Sequence, residues 1–293
     1  MVQKIITKML CVRWLTGVFS ILAISLLSPP SLLGQESILD RVTREKIVRV
    51  GLCLHQPPLN YMDDNGRWTG FDRALAEEVI QRLGVPAEWV KLSGKTRFTF
   101  LASGRVDLSF CAISQTRGRE KVIDYSVPYF QEGKRMMGAK AKGYKSLKDL
   151  IGKPIGVAQG SSAYPGLEGY FKEQGWPPPK LMAFQDNATA FAALKQGKVE
   201  GYSQDQAISV FVSNADPDFT FFGEYYQQTR YGIGVPHNQS KWRDHINFIM
   251  NDMYADGTYL AIYDKWFHPK TGKFPLPANV RENAKAIAGL PWP

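Results

Sequence analysis

The chain has 293 residues, of which 44% are apolar and 22% charged, and its 36 basic and 27 acidic side chains leave a formal net charge of +9. This length suits one large or two ordinary domains. The composition is globular, with no low-complexity tract, and no basic run is interleaved with aromatics, so neither a disordered chain nor a nucleic-acid-binding surface is expected.

The first 34 residues stand apart. Lys4, Lys8 and Arg13 form a basic start, residues 15–27 are an apolar core, and Ser28, Pro29, Pro30, Ser31 and Gly34 follow, with no acid before Glu36. This is the pattern of a secretory signal peptide. Gly34 suits the residue before the cut, although Leu32 is large for the position two before it. No cysteine follows the apolar core, so no lipid anchor is expected. An uncleaved anchor is the alternative, but the apolar stretch is short for a membrane span. Loss of residues 1–34 leaves a net charge of +6 and two cysteines, Cys53 and Cys111. An isolated pair in an oxidising compartment invites a disulfide. His55, His237, His245 and His268 are scattered, and no Cys/His spacing suggests a metal.

The predicted elements run as follows. Residues 47–54 are rich in Val, Ile and Leu and read as a buried strand, stopped by Pro57 and Pro58. Asp63, Asp64, Asn65 and Gly66 make a turn. Residues 70–83 carry Phe71, Leu75, Val79 and Leu83 at helical spacing, with Asp72 in the first turn and Gly84 as a stop. A strand at 88–92, a short helix at 98–102 and a strand at 106–110 complete a β-α-β-α-β order, which implies a parallel sheet.

A short helix at 146–151 leads to a second such unit. It has strands at 154–158, 181–184 and 199–203, with helices at 163–174, 187–196 and 205–213. A strand at 230–236 and two amphipathic helices, 241–254 and 257–267, follow. The Pro-rich remainder from Pro269 is expected to lie along the surface as an extended tail. Two similar α/β units, the second inserted in the first, predict two lobes joined by strands at 133–139 and 230–235. A cleft between such lobes is a natural ligand site.

One stretch carries specific chemistry. At 111–126 the strand ending at Phe110 passes into a turn bearing Ser114 and Thr116, then Arg117 and Arg119. Ligands of open α/β folds bind at the carboxyl ends of strands, and a guanidinium there matches a carboxylate two bonds at a time.

The chain resembles the family 3 solute-binding proteins, receptors of polar amino acid ABC transporters. The resemblance extends over about 47–269. It is carried by VRVG at 48–51, WTGFD at 68–72, SGRVDLSF at 103–110, REKVIDYSVPY at 119–129, SLKDLIGK at 146–153, the GSS turn at 160–162, YGIGV at 231–235 and GTYLAIYDKWF at 257–267. It implies a two-lobed periplasmic-binding-protein fold of type II, each lobe a mostly parallel sheet flanked by helices. The corresponding boundaries are a signal peptide at 1–34, a first lobe from 35–136 with 234–293, and a second from 137–233.

The resemblance also implies roles. Arg119 pairs with a ligand α-carboxylate, helped by the Ser114 hydroxyl and backbone groups of Ala112. Asp205 takes the α-ammonium, with a plain helix cap as the rival reading. Ser161 and Ser162 offer donors at a helix N-terminus, or only cap that helix. Arg97 faces the ligand side chain, or is simply solvated. Tyr61, Trp68 and Tyr164 wall the ligand or pack elsewhere.

Four positions break the pattern. Arg73 and Ala74 follow WTGFD where relatives carry an apolar and then an acidic residue. Cys53 stands where relatives often place a charged contact, and Ala158 where some place lysine. Cys53 and Cys111 fall at the ends of strands that are neighbours in this fold, so a disulfide across the cleft floor is expected, the alternative being two independent thiols.

The implied function is capture of a polar, acidic or broad-range L-amino acid for delivery to a membrane permease, by a periplasmic monomer without cofactor or metal and without enzymatic activity. A periplasmic dehydratase of arogenate or prephenate type and an amino acid sensor domain are the alternatives.

Overall fold

The computed structural model describes residues 36–274, 276 and 278–289. The expected leader, 1–34, and its cleavage point lie outside them.

Helix α1 (Ile38–Glu45) starts at Ser37, whose hydroxyl accepts the Asp40 N–H. Strand β1 (Val48–Cys53) is central to the first half of the sheet, parallel to β5 (Ala87–Leu92) on one side and to β6 (Leu108–Phe110) on the other. Between β1 and β5 lie three very short strands, β2 (His55–Gln56), β3 (Asn60–Met62) and β4 (Trp68–Thr69), which form their own small antiparallel sheet. Helix α2 (Phe71–Leu83) then buries Phe71, Leu75, Ala76 and Val79 and ends at left-handed Gly84. Helix α3 (Arg97–Ala102) connects β5 to β6.

Two long strands follow the first half. Strand β7 (Ile123–Ala139) leads outward and β11 (Phe219–Pro236) returns, antiparallel to it. Between them come β8 (Pro154–Ala158), α4 (Ala163–Glu173), β9 (Lys180–Phe184), α5 (Asn187–Lys195), β10 (Gly201–Asp205) and α6 (Gln206–Ser213). Helices α7 (Ser240–Ala255) and α8 (Thr258–Phe267) pack back on the first half. The sheet order is β5-β1-β6-β11-β7-β10-β8-β9. The two predicted sheets are therefore joined into one eight-stranded sheet, because β7 and β11 run on from one lobe into the other. Their ladder breaks register between Phe222 and Gln227.

Each half has its own apolar core. Phe71, Tyr129, Phe130, Tyr231, Tyr259, Tyr263 and Phe267 pack together in the first half. Met136, Leu147, Leu150, Ile155, Val157, Leu167 and Phe171 form one in the second. Asp107, fully buried at the foot of β6, is satisfied by Arg41 at 2.6 Å and Arg49 at 2.9 Å, as a buried carboxylate requires.

Two expectations are corrected. The remainder from Pro269 is not simply an extended tail. Helix α9 (Ala278–Ala288) forms there and buries Ala284 and Ile287, two apolar contacts three residues apart that face the core while its polar side faces water. The helix expected at 146–151 is a single 3-10 turn, Leu147–Leu150, closed at its start by reciprocal bonding between Ser146 and Asp149.

Candidate ligand-binding site

The carboxyl ends of β1, β6, β8 and β10 meet where the two halves of the sheet face each other. From the first half, Arg97 opens α3 and is 2% exposed. Its Nη1 donates to the Cys111 carbonyl at 2.6 Å and its Nη2 to the Gly160 carbonyl at 2.9 Å, while Nε is buried without a partner. Burial, and secondarily the charge of Arg119, brings its pKa down to about 9. Half-buried Arg119 donates through Nη1 to the Ser114 carbonyl and through Nη2 to the Gly160 carbonyl, each at 2.9 Å. Burial lowers its pKa too. Both guanidinium carbons lie 5.0 Å from the centre of the Phe98 ring, a cation–π arrangement for each.

From the second half, the turn after β8 supplies Gly160, Ser161 and Ser162. The Ser162 hydroxyl donates to that of Ser114 at 3.1 Å. The Ser161 hydroxyl accepts the Ala163 N–H at 3.1 Å and so caps α4. Gly160 has φ +72°, and a Cβ there would collide with the Gly94 carbonyl of the opposite half. The two backbones cross at that point, and this closeness requires glycine.

Asp205 ends β10 and is 3% exposed. It occupies the cap position of α6, but its side chain does not cap the helix. Its Oδ2 pairs with Lys134 Nζ at 2.6 Å and its Oδ1 accepts the Thr229 hydroxyl at 2.8 Å. Capping falls to Glu132, whose Oε2 accepts the Ala207 N–H at 2.8 Å while Oε1 accepts the Tyr231 hydroxyl at 3.1 Å. Burial, and next the charge of Asp205, pushes the Glu132 pKa up to about 8. Burial also lowers the pKa of Lys134.

The structure thus brings Arg97, Ala112, Ser114, Arg119, Ser161, Ser162 and Asp205 together. All of these except Arg119, together with Gln56, Asn187 and Gln204, line a cavity of about 20 Å³, room for about one water molecule; Arg119 stands beside it, on the Gly160 carbonyl. Ala112 (φ +46°) gives its N–H to Asp72 at 2.8 Å, so that donor is not free for a ligand. Arg117 is exposed. Tyr61 and Trp68 pack against the first core, and Tyr164 is exposed; none of the three lines the cavity. Cys53 and Cys111 form a disulfide with Cα atoms 5.0 Å apart. Sequence reasoning missed Lys134 and Glu132. A lysine amid Gln131, Glu132 and Arg135 reads as a solvated strand edge, and only its register opposite Asp205 reveals a buried ion pair.

Two α/β halves joined by two strands around a charged cleft define a two-lobed solute-binding protein. The chain belongs to the bacterial extracellular solute-binding proteins, family 3, whose profile matches residues 48–269. It is similar to the ABC transporter glutamine-binding protein GlnH of Bacillus subtilis, 28% identical over 206 residues, covering 69% of this chain and 74% of that one. An ancestral arginine-binding protein bound to arginine superposes with a TM-score of 0.70 at 33% identity, over 76% of this chain and 98% of the other. An ancestral amino acid-binding protein described as a precursor of cyclohexadienyl dehydratase gives a TM-score of 0.70 at 27% identity, over 78% and 99%.

Proposed function

We propose that the chain is a periplasmic receptor that captures a small polar carboxylate, an amino acid or a molecule of that size, and delivers it to the membrane permease of an ABC transporter. The observation that carries this reading is the convergence of Arg97 and Arg119 from one lobe on the Gly160 carbonyl of the other. A carboxylate oxygen is a stronger acceptor for such donors than a neutral carbonyl, so a ligand carboxylate inserted there ties the lobes together. We draw the lobes at 37–136 with 234–289 and at 137–233, with residues 1–34 directing export. The protein acts as a monomer.

The cavity is far smaller than an amino acid, so entry parts the lobes at β7 and β11, and closure then excludes water and strengthens each charged contact. Calorimetric titration with the twenty amino acids and simple organic acids, alongside X-ray scattering for compaction, tests this. Micromolar or tighter binding with compaction is expected. No binding by any small carboxylate overturns the reading.

A dehydratase of the same fold is the second reading, favoured by the neighbour described as a dehydratase precursor. Such an enzyme needs an acid facing its substrate. Glu132 has the raised pKa such an acid needs, but both its oxygens are engaged and it does not line the cavity. Turnover of prephenate or arogenate without stable binding would favour the enzyme.

A further inference from the structure

We infer that the site takes a carboxylate ligand without an α-amino group, because Lys134 already fills the place of the ammonium opposite Asp205. This rests on the receptor reading above and narrows its ligand class.

An α-ammonium needs a buried anion to offset its desolvation. Asp205 is the acid that lines the cavity among the described residues, and both its oxygens are in use. The Lys134 ammonium sits 2.6 Å from Oδ2, with the two side chains 1% and 5% exposed, and the Thr229 hydroxyl sits 2.8 Å from Oδ1. Lys134 and Asp205 are directly paired across neighbouring strands, so backbone register holds them together. Were a ligand ammonium to displace Lys134, a lysine charge would remain buried beside it. Breaking a buried pair in this way is strongly unfavourable.

Among the described residues no other acid takes up the task. Glu132 is bound at both oxygens by Ala207 and Tyr231. Asp72 Oδ2 accepts the Ala112 N–H and the Asn60 side-chain amide, and Asp72 does not line the cavity.

The cations show the opposite imbalance. Arg97 and Arg119 share one neutral acceptor, and Arg97 Nε has none. Apart from Arg97 and Asp205, the polar side chains of the lining are neutral: Gln56, Ser114, Gln159, Ser161, Ser162, Asn187 and Gln204. Cations without an ion-pair partner among the described residues, beside neutral hydroxyls and amides, fit an organic acid. One carboxylate bridges the two arginines, and a hydroxyl, oxo group or second carboxylate meets the serines and amides.

The test compares matched ligands by calorimetry on the full mature chain: L-glutamate with 2-oxoglutarate and glutarate, L-aspartate with L-malate and succinate, and L-alanine with L-lactate. The deaminated member should bind at least tenfold tighter in one or more sets. Lys134→Gln, which keeps a donor toward Asp205, should move the ratio at least tenfold toward the amino acid. Amino acids binding as tightly as or tighter than their partners would overturn the inference and leave the receptor standing. If no member of any set binds, the inference fails, and the receptor reading fails with it only when the remaining amino acids and organic acids do not bind either. Should Lys134→Gln not fold, the wild-type comparison decides alone.

Discussion

Arg97 and Arg119 donate to a single atom, the carbonyl oxygen of Gly160, each from 2.9 Å. Two positive groups converge there on one neutral acceptor supplied by the opposite lobe. The contact that closes the molecule is thus also the one an anion is best placed to replace.

Arg119→Ala is therefore expected to weaken carboxylate binding with the fold retained, since Arg119 is only half-buried. A sheltered charged hydrogen bond contributes about 1.5–3 kcal/mol, which corresponds to roughly ten- to hundredfold in affinity. Calorimetry against the tightest ligand of the wild type measures it. Unchanged affinity would remove Arg119 from the site.

Gly160→Ala places a methyl group against the Gly94 carbonyl in a left-handed backbone conformation. The lobes then meet short of full closure. Scattering curves should show reduced ligand-induced compaction, with affinity down at least tenfold. Compaction equal to that of wild type would contradict the crossing of the two backbones.

The Cys53–Cys111 bond links positions 58 residues apart. A cross-link over a loop of this size contributes about 2–4 kcal/mol. Cys53→Ala with Cys111→Ala should lower the unfolding free energy by that amount in urea. It should also weaken carboxylate binding, because the Cys111 carbonyl accepts Arg97.

Glu132 predicts a pH dependence. Its folded pKa is raised, so the folded chain keeps a proton that the unfolded chain releases above about pH 4.5. Stability from this group is complete below that pH and falls as pH rises toward about 8, by up to about 1.4 kcal/mol per pH unit for one proton. Asp72, raised to about 6 by burial, acts in the same direction over a lower window. Glu132→Gln should flatten the decline of the melting temperature between pH 5 and pH 8. A slope identical to that of wild type would show that Glu132 is charged in the folded protein.

Much of the fold is legible because apolar periodicity survives in the sequence. Phe71, Leu75 and Val79 announce α2, and the Val-rich run at 48–53 announces β1. The long hinge strands are harder to read, since Gln131, Glu132 and Lys134 interrupt β7 with polar groups that only the assembled molecule buries. Helix α9 is hidden by its Pro-rich approach and by the two residues, Ala284 and Ile287, that make its apolar face. At the site, the turn carrying Ser114 and Arg119 stands out because a guanidinium at the carboxyl end of a strand suits a carboxylate, while Arg97, Ser162 and Asp205 are legible only through the family resemblance. Which charges neutralise each other is decided by register between strands 71 residues apart in sequence, and local pattern carries no trace of it.

The break in the ladder between β7 and β11 has a mechanical consequence. Lys134 is the last residue of β7 paired with Gln227 before β11 bulges away, and it is also the register partner of Asp205. In the receptor mechanism proposed above, the ion pair would sit at the fulcrum, while the arginines and Gly160 would lie out along the lever arms. A swing of the arms would then hardly move the fulcrum. The charge at the bottom of the cleft would be set before any solute arrives, and the solute's own contribution would be confined to latching the jaws.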